Sequence, residues 1–337
     1  MDVAIVGFGT VGQGVAEVLA RRSHWFETIF KEKVKIVAVF DSHSFEFSSR
    51  GLDGIELVRR KKMTGRVGSR ESVDDTPEIL KSIDYDVLVE ATPTNIITGE
   101  PGYSNILAAL CDGKDVITSN KGPLALRYLQ LMKSAEKHGA QLRFEATVGG
   151  ATPVINLAKD VLMGEKISSV RGILNGTCNF ILHRMGEEGL PFAQALKEAQ
   201  EIGIAERDPS YDIEGVDSAC KAVILANAIF GVDKTYSDVK RTGIRGITED
   251  AIGLAAEEKK VVRLIAEISN QRLEVSPRLV PIGHPLSIGG TLNIIQLSTD
   301  LAGEITVVGR GAGKFETASA ILSDLVALLK DRSGKSA

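Results

Sequence analysis

Gly7, Gly9 and Gly12 follow directly on a short apolar run, Val3 to Val6, and lead directly into Val11, Val15, Val18 and Leu19 at near-helical spacing. That periodicity reads as strand, tight turn and helix. G-x-G-x-x-G at such a turn commits the first part of the chain to a Rossmann-type dinucleotide-binding α/β domain. The glycines have separate tasks. Gly7 permits the turn, Gly9 lets the backbone approach a pyrophosphate, and Gly12 allows close packing of the helix, whose unpaired N–H groups face the phosphates.

The alternation continues. Val34 to Asp41 is a continuous apolar run of the kind that forms a parallel strand covered on both faces. From Ser42 to Pro77 the chain turns polar and is expected to make a surface excursion with one short helix around Gly54 to Lys62. Tyr85 to Thr92 and Lys114 to Lys121 read as two more strands, with helical stretches over Asn105 to Leu110 and Leu124 to His138. The main boundary is placed near Ala140. This gives a dinucleotide-binding domain over 1–139, to which an amphipathic helix, Thr317 to Lys330, brings back the segment from about 309 to 337. Residues 140–308 form a second, α+β domain. It has helices at Phe192 to Ile202 and Gly215 to Phe230 and strand candidates at Ser169 to Leu174, Arg278 to Ile282, Thr291 to Leu297 and Glu304 to Val308. The terminal DRSGKSA is expected to fray.

Composition removes several classes of function. A formal charge of −4 gives no general attraction to nucleic acid or to an anionic membrane. No apolar run approaches the ~20 residues that span a bilayer, and the first residues enter a strand with no leader pattern before it. Three scattered cysteines, Cys111, Cys178 and Cys220, make neither a disulfide framework nor a CxxC pair. A cytoplasmic protein without a catalytic metal is the expectation, since the five histidines show no ligand spacing either.

Several residues are placed for chemistry. Asp41 closes the second strand, where an acid can bond the adenosine ribose hydroxyls and favour NAD. The basic run Arg59 to Lys62 points the other way, to a 2′-phosphate, unless it is a solvated face. Lys121 ends a strand at the carboxyl edge of the sheet, beside a bound nicotinamide, where it can stabilise an alkoxide or deliver a proton. AERDPSYDIEGVDSACK gathers Glu206, Asp208, Asp212, Glu214, Asp217 and Lys221 ahead of a very apolar helix. Asp217 and Lys221 stand four apart and could be a plain helical ion pair, but the apolar surroundings favour a pair kept for use. Carboxylates there can take an ammonium group, and burial can tune a lysine for proton exchange. Asn175-Gly176-Thr177 leaves a strand and starts a helix, presenting N–H groups to an anion. Gly309, Gly311 and Gly313 form a further turn before a helix. Cys178 is the one candidate thiol nucleophile, with no histidine beside it but His183.

Six segments in order, GFGTVG, TSNK, EATVGG, NGTCN, the AERDPSYDIEGVD block ending in Lys221, and GRGAG followed by TASAILSD, resemble the homoserine dehydrogenases over essentially the whole chain. The resemblance implies reversible reduction of L-aspartate 4-semialdehyde to L-homoserine with NAD or NADP. It makes Lys221 and Lys121 the proton-transfer and oxyanion pair, with Lys221 the first choice for general acid. It makes Glu206 and Asp217 the substrate-binding acids, with Asp212, Thr177 and Gly176 close by. To Gly7, Gly9, Gly12 and Asp41 it adds Phe8, Thr10, Val11, Thr92, Lys121 and Gly311 near the nucleotide. It assigns a monovalent cation, sodium, to Glu145, Val148, Gly150 and Thr152, and implies a homodimer joined through the second domain, which is thus both catalytic and dimerising. The chain stops soon after TASAILSD, so neither an ACT domain nor a fused kinase is expected. Cys178 stands where relatives often carry serine, and Asp41-Ser42-His43 lacks an arginine that some relatives place near a 2′-phosphate. Two competing readings are a phosphorylating semialdehyde dehydrogenase working through Cys178 and a dinucleotide sensor without catalysis.

Overall fold

The computed structural model describes residues 1–71, 75–332 and 334. β1 (Asp2–Val6) lies at the heart of the first sheet, with β2 (Lys35–Phe40) parallel on one side and β5 (Val87–Glu90) parallel on the other. Adding β3 (Ser44–Leu52), β4 (Arg70–Glu71), β6 (Asp115–Thr118) and β7 (Leu142–Arg143) gives the order β4-β3-β2-β1-β5-β6-β7. The strand order reverses between β1 and β5, so the crevice that binds ligands in such sheets opens beyond Val6 and Glu90. This is the Rossmann-type arrangement that the glycine turn implies.

The chain divides into two units, Met1–Gly150 with Ala312–Ala337, and Ala151–Gly311. Near Ala140, where the sequence suggests a boundary, the chain is still in the first unit: Leu142 and Arg143 pair with Val116 and Ile117 as the edge strand β7. The helix Lys314–Arg332 packs on the helix Thr10–Arg21. Ala318, Ile321, Leu325 and Leu328 join Val3, Ile5, Val15 and Leu19 in one core. A Cβ on Gly14 would stand 2.6 Å from the Lys314 carbonyl oxygen, so glycine sets how near the two helices come. The helix continues through Arg332, whose guanidinium meets Asp115 at 2.9 Å, so the first two residues of the DRSGKSA tail are helical. Residues 333 and 335–337, on which the rest of that expectation falls, lie outside the described residues.

The polar stretch after Asp41 is more ordered than its composition suggests. Ser44–Leu52 turns back antiparallel on β2, with Phe45 stacked on Phe40 and Phe47, and Arg70 lies 3.9 Å above the Phe47 ring. Alternate aromatics, period two, were the signal.

The second unit has a six-stranded sheet in the order β13-β12-β8-β10-β11-β9, with β8 (Ile167–Ile173), β9 (Lys240–Arg241), β10 (Lys260–Ile268), β11 (Leu273–Pro281), β12 (Leu292–Thr299) and β13 (Glu304–Arg310). All neighbours are antiparallel except β9 and β11. The helices Gly176–Glu188 and Val216–Phe230 pack on β10. β10 has no counterpart among the strands read from sequence. Arg263 interrupts its apolar run, yet is buried with its guanidinium donating to the Val262 and Ser287 carbonyls at 2.9 and 2.8 Å. No helix among the described residues is long and apolar enough to cross a membrane.

Candidate active site

In the first unit the glycine turn has the form its sequence promises. Gly7 takes φ = +93°, and a Cβ there would lie 2.4 Å from the Ala91 carbonyl carbon and 2.6 Å from Thr92 N. Only glycine lets the turn after β1 lie against the turn after β5. A Cβ on Gly12 would stand 2.1 Å from the Gly7 oxygen, whereas one on Gly9 would meet open space. The turn is therefore open on the side of Gly9. No side chain caps the helix that begins at Thr10, so its first N–H groups, those of Thr10 and Val11 included, are available to an anion. Phe8 contributes backbone alone, because its ring sits in the hydrophobic core.

Asp41, which the sequence offers as a ribose-binding acid, has partners on both carboxylate oxygens. Oδ1 accepts from the His43 and Ser44 N–H groups, both at 2.7 Å, and from Ser44 Oγ. Oδ2 accepts from Lys61 Nζ at 2.8 Å and from Val67 N at 2.9 Å. The carboxylate is spent on holding its own loop, and one member of the basic run is spent on the carboxylate. Arg59 pairs with Glu56, and Arg60 with Glu46 and the Val67 carbonyl. The basic run is a paired face for the most part.

Thr92 and Lys121 leave the neighbouring strands β5 and β6. Lys121 is the first residue of the helix Lys121–His138, whose cap is Asn120, the side chain accepting from Gly122 N at 3.0 Å.

In the second unit the strand end after β8 meets the acid block. Asp217 and Lys221, both buried, form an ion pair at 2.6 Å, and Lys221 Nζ also donates to the Leu174 carbonyl at 2.6 Å. Asn175 Nδ2 bridges two carboxylates, reaching Asp212 at 2.6 Å and Asp217 at 3.0 Å. Its Oδ1 caps the helix Gly176–Glu188 by accepting from Cys178 N at 2.9 Å. Gly176 allows that helix start to lie against the Thr291 carbonyl, 2.3 Å from where a Cβ would be. Burial first, and the charge of Asp217 second, push the Asp212 carboxyl above its usual range, against the donors Asn175 and Thr177. Thr177 Oγ1 donates to the Ile204 carbonyl at 3.2 Å, tying this helix to the loop that carries Glu206. Glu206 itself is exposed, its backbone oxygen taken by Gln200. Asp208 and Glu214, from the same block, serve local structure. Asp208 accepts from Ser210 N, and Glu214 pairs with Arg245 at 2.7 Å.

Asn175 is the residue that sequence reasoning passed over as a participant. Only its place in a strand-to-helix turn opposite paired acids could have given it away. Cys178 resolves in the other sense. Its thiol is fully buried, donates to the Asp212 carbonyl at 3.1 Å, and is pushed well up by burial and then by Asp212 and Asp217. A thiol so held is a poor nucleophile.

The EATVGG segment contributes a buried carboxylate, Glu145, whose N–H donates to Asp324 Oδ2 at 2.9 Å, and a fully buried Val148. Thr152 Oγ1 is buried with no hydrogen-bond partner, an orphan that a cation would satisfy. Gly311 packs on Asn293, 2.0 Å from where its Cβ would be. Among the described residues no three His, Cys, Asp or Glu side chains gather as metal ligands.

Comparison with known proteins covers both units. Residues 153–326 match the family model described as homoserine dehydrogenase, and residues 7–145 match the one described as its NAD-binding domain. A homoserine dehydrogenase of Methanocaldococcus jannaschii is 50% identical across 97% of this chain and 98% of its own. An NAD(+)-dependent homoserine dehydrogenase of Pseudomonas canavaninivorans is 39% identical across 96% and 95%. The structure of a hyperthermophilic archaeal homoserine dehydrogenase in complex with NADPH superposes with a TM-score of 0.84 at 31% identity, across 98% of each chain.

Proposed function

The chain belongs to the homoserine dehydrogenase family, and from that membership we propose how its residues divide the NAD(P)-dependent interconversion of L-homoserine and L-aspartate 4-semialdehyde. The observation that carries the reading is the linked cluster of buried Lys221, Asp217 and Asn175 with half-buried Asp212, Lys221 also reaching the Leu174 carbonyl.

The turn of Gly7, Gly9 and Gly12 with the helix start at Thr10 holds the pyrophosphate, and Thr92 lines the same edge. The nicotinamide nucleotide, when bound, gives or takes the hydride. Lys221 Nζ is held by one carboxylate and one carbonyl, and an ammonium has three N–H donors. Its remaining N–H serves the substrate oxygen, protonating the alkoxide in reduction, and in oxidation the neutral amine accepts the hydroxyl proton. Lys121 steadies the charge that develops on that oxygen. Glu206, Asp217 and Asp212 receive the α-ammonium group, and the helix start at Gly176 and Thr177 receives the α-carboxylate. The buried, high-pKa thiol of Cys178 weighs against the phosphorylating alternative, and the lysine and acid cluster weighs against a sensor without catalysis.

Glu145, Val148, Gly150 and Thr152 are proposed ligands of a monovalent cation, sodium first, supported by the buried Glu145 carboxylate and the orphaned Thr152 hydroxyl. A homodimer is proposed through the second unit, where Leu279, Ile282 and Val308 leave apolar surface exposed. Three free cysteines suit a reducing cytoplasm.

The test is absorbance of the reduced nicotinamide with homoserine and each nucleotide in turn. Turnover with at least one supports the reading, and none with either overturns it. Replacing sodium by choline should lower the melting temperature if the cation site is real.

A further inference from the structure

Glu90 is the last residue of β5, and its side chain has no contact with solvent. It touches neither substrate nor nucleotide in the roles assigned to the other residues. A carboxylate in such a place is costly unless its oxygens are met by donors, and burial pushes it up to about 7. Its neighbours meet it from two strands. One oxygen accepts from Thr92 N at 3.1 Å and from Thr92 Oγ1. The other accepts from Thr118 Oγ1 at 3.1 Å. Thr118 Oγ1 in turn accepts from Asn120 N at 3.0 Å, and Asn120 Nδ2 donates to Thr92 Oγ1 at 3.1 Å. The hydrogen bonds close into a ring through Glu90, Thr92, Asn120 and Thr118.

The placement of that ring matters more than its strength. The ladder between β5 and β6 ends at the pair Glu90 and Thr118. Beyond it the chain leaves both strands as turns, one bearing Thr92 and the other bearing Asn120 and Lys121. Asn120 also donates to the Pro93 carbonyl at 3.3 Å while capping the lysine's helix. A shift of the Thr92 turn is felt at once by Gly7, against which it packs without room for one carbon.

We propose that Glu90 is a positioning residue for the dehydrogenase reaction: its buried carboxylate fixes the Thr92 turn against the glycine turn and sets the start of the helix that presents Lys121. This rests on the roles given above to Thr92 and Lys121.

The test uses Glu90→Ala and Glu90→Gln in the full chain. Glu90→Ala should weaken reduced-nucleotide binding, read by its fluorescence, and lower kcat, each by about tenfold to a hundredfold, the scale of a small misplacement of reacting groups. KM for homoserine should stay within about twofold, because the substrate acids are in the other unit. Glu90→Gln should restore both to within roughly threefold, since its amide oxygen can accept from Thr92 and its NH2 can donate to Thr118. A general loss of structure would not be rescued selectively in this way. If Glu90→Ala does not fold, Thr118→Val opens the ring at nearly constant volume and is read in the same way. Wild-type binding and kcat in the opened ring overturn the proposal, as does Glu90→Gln behaving no better than Glu90→Ala. Lys121→Ala separates the role of the lysine from that of the ring. Full activity there refutes the role of Lys121 itself, whereas lost activity there beside an unaffected Glu90→Ala refutes the ring alone.

Discussion

Lys61 Nζ lies 2.8 Å from Asp41 Oδ2, and both side chains are largely withdrawn from water. Burial alone would raise the Asp41 carboxyl, but Lys61 and the His43 and Ser44 N–H groups outweigh it and hold it below the usual range. The acid at the end of β2 is thus paired with a cation. Lys61→Ala should release Asp41 and remove positive charge where a 2′-phosphate would sit. The ratio of kcat/KM for NADP to that for NAD should then fall about tenfold, or about 1.4 kcal/mol. An unchanged ratio would show that the pair does not govern nucleotide choice.

Lys221→Ala should lower kcat by about 10²-fold to 10⁴-fold, the usual contribution of a placed general acid. Nucleotide binding should be untouched, because its partners Asp217 and Leu174 both belong to the second unit. Activity followed against pH in this variant and in Lys121→Ala tells the two lysines apart: the acid limb disappears with the true donor. Retained kcat in Lys221→Ala would refute its assignment.

Asn175→Leu should raise KM for homoserine roughly tenfold, the scale of a lost hydrogen bond to charged groups. Asp212 and Asp217 lose the amide that bridges them at 2.6 and 3.0 Å. Asp212, already raised by burial and by Asp217, then climbs further, since Asn175 was one of the donors holding it down. A protonated Asp212 does not attract an ammonium group, so the KM penalty should be greatest at low pH and shrink as pH rises. A pH-independent penalty would mean that Asn175 acts through shape alone.

Much of this was readable in the chain. The glycine turn specified both its strands and its helix because each glycine answers a steric demand that no other residue meets. The ion pair of Asp217 and Lys221 was visible as i,i+4 spacing inside an apolar helix. β10 was hidden by a buried arginine whose partners, the Val262 and Ser287 carbonyls, come from backbone and leave no mark in sequence. Asp41 showed its place but not its partner, for a related reason. Its position after β2 is set locally, but its occupation by Lys61, twenty residues on, depends on how the intervening hairpin and helix fold back. Glu90 carried no signal, because an acid ending an apolar strand is as easily exposed as enclosed.

Glu90 also makes a pH signature in stability. Burial pushes its carboxyl from an ordinary 4.5 up to about 7 in the folded chain. Between these the folded chain keeps a proton that the unfolded chain releases, so the stability this group contributes is complete below the unfolded value and is lost as pH rises through the folded one. At about 1.4 kcal/mol for each tenfold change in proton affinity, the loss approaches roughly 3 kcal/mol above neutrality. Thr92, Thr118 and Asn120, the other members of the ring, carry no charge to offset it. Glu90→Gln does not titrate there. The unfolding free energy of the variant relative to wild type, from urea denaturation at a series of pH values, should therefore move in the variant's favour between pH 4.5 and 8. A difference that stays constant across that window would mean that the carboxyl is ionised throughout.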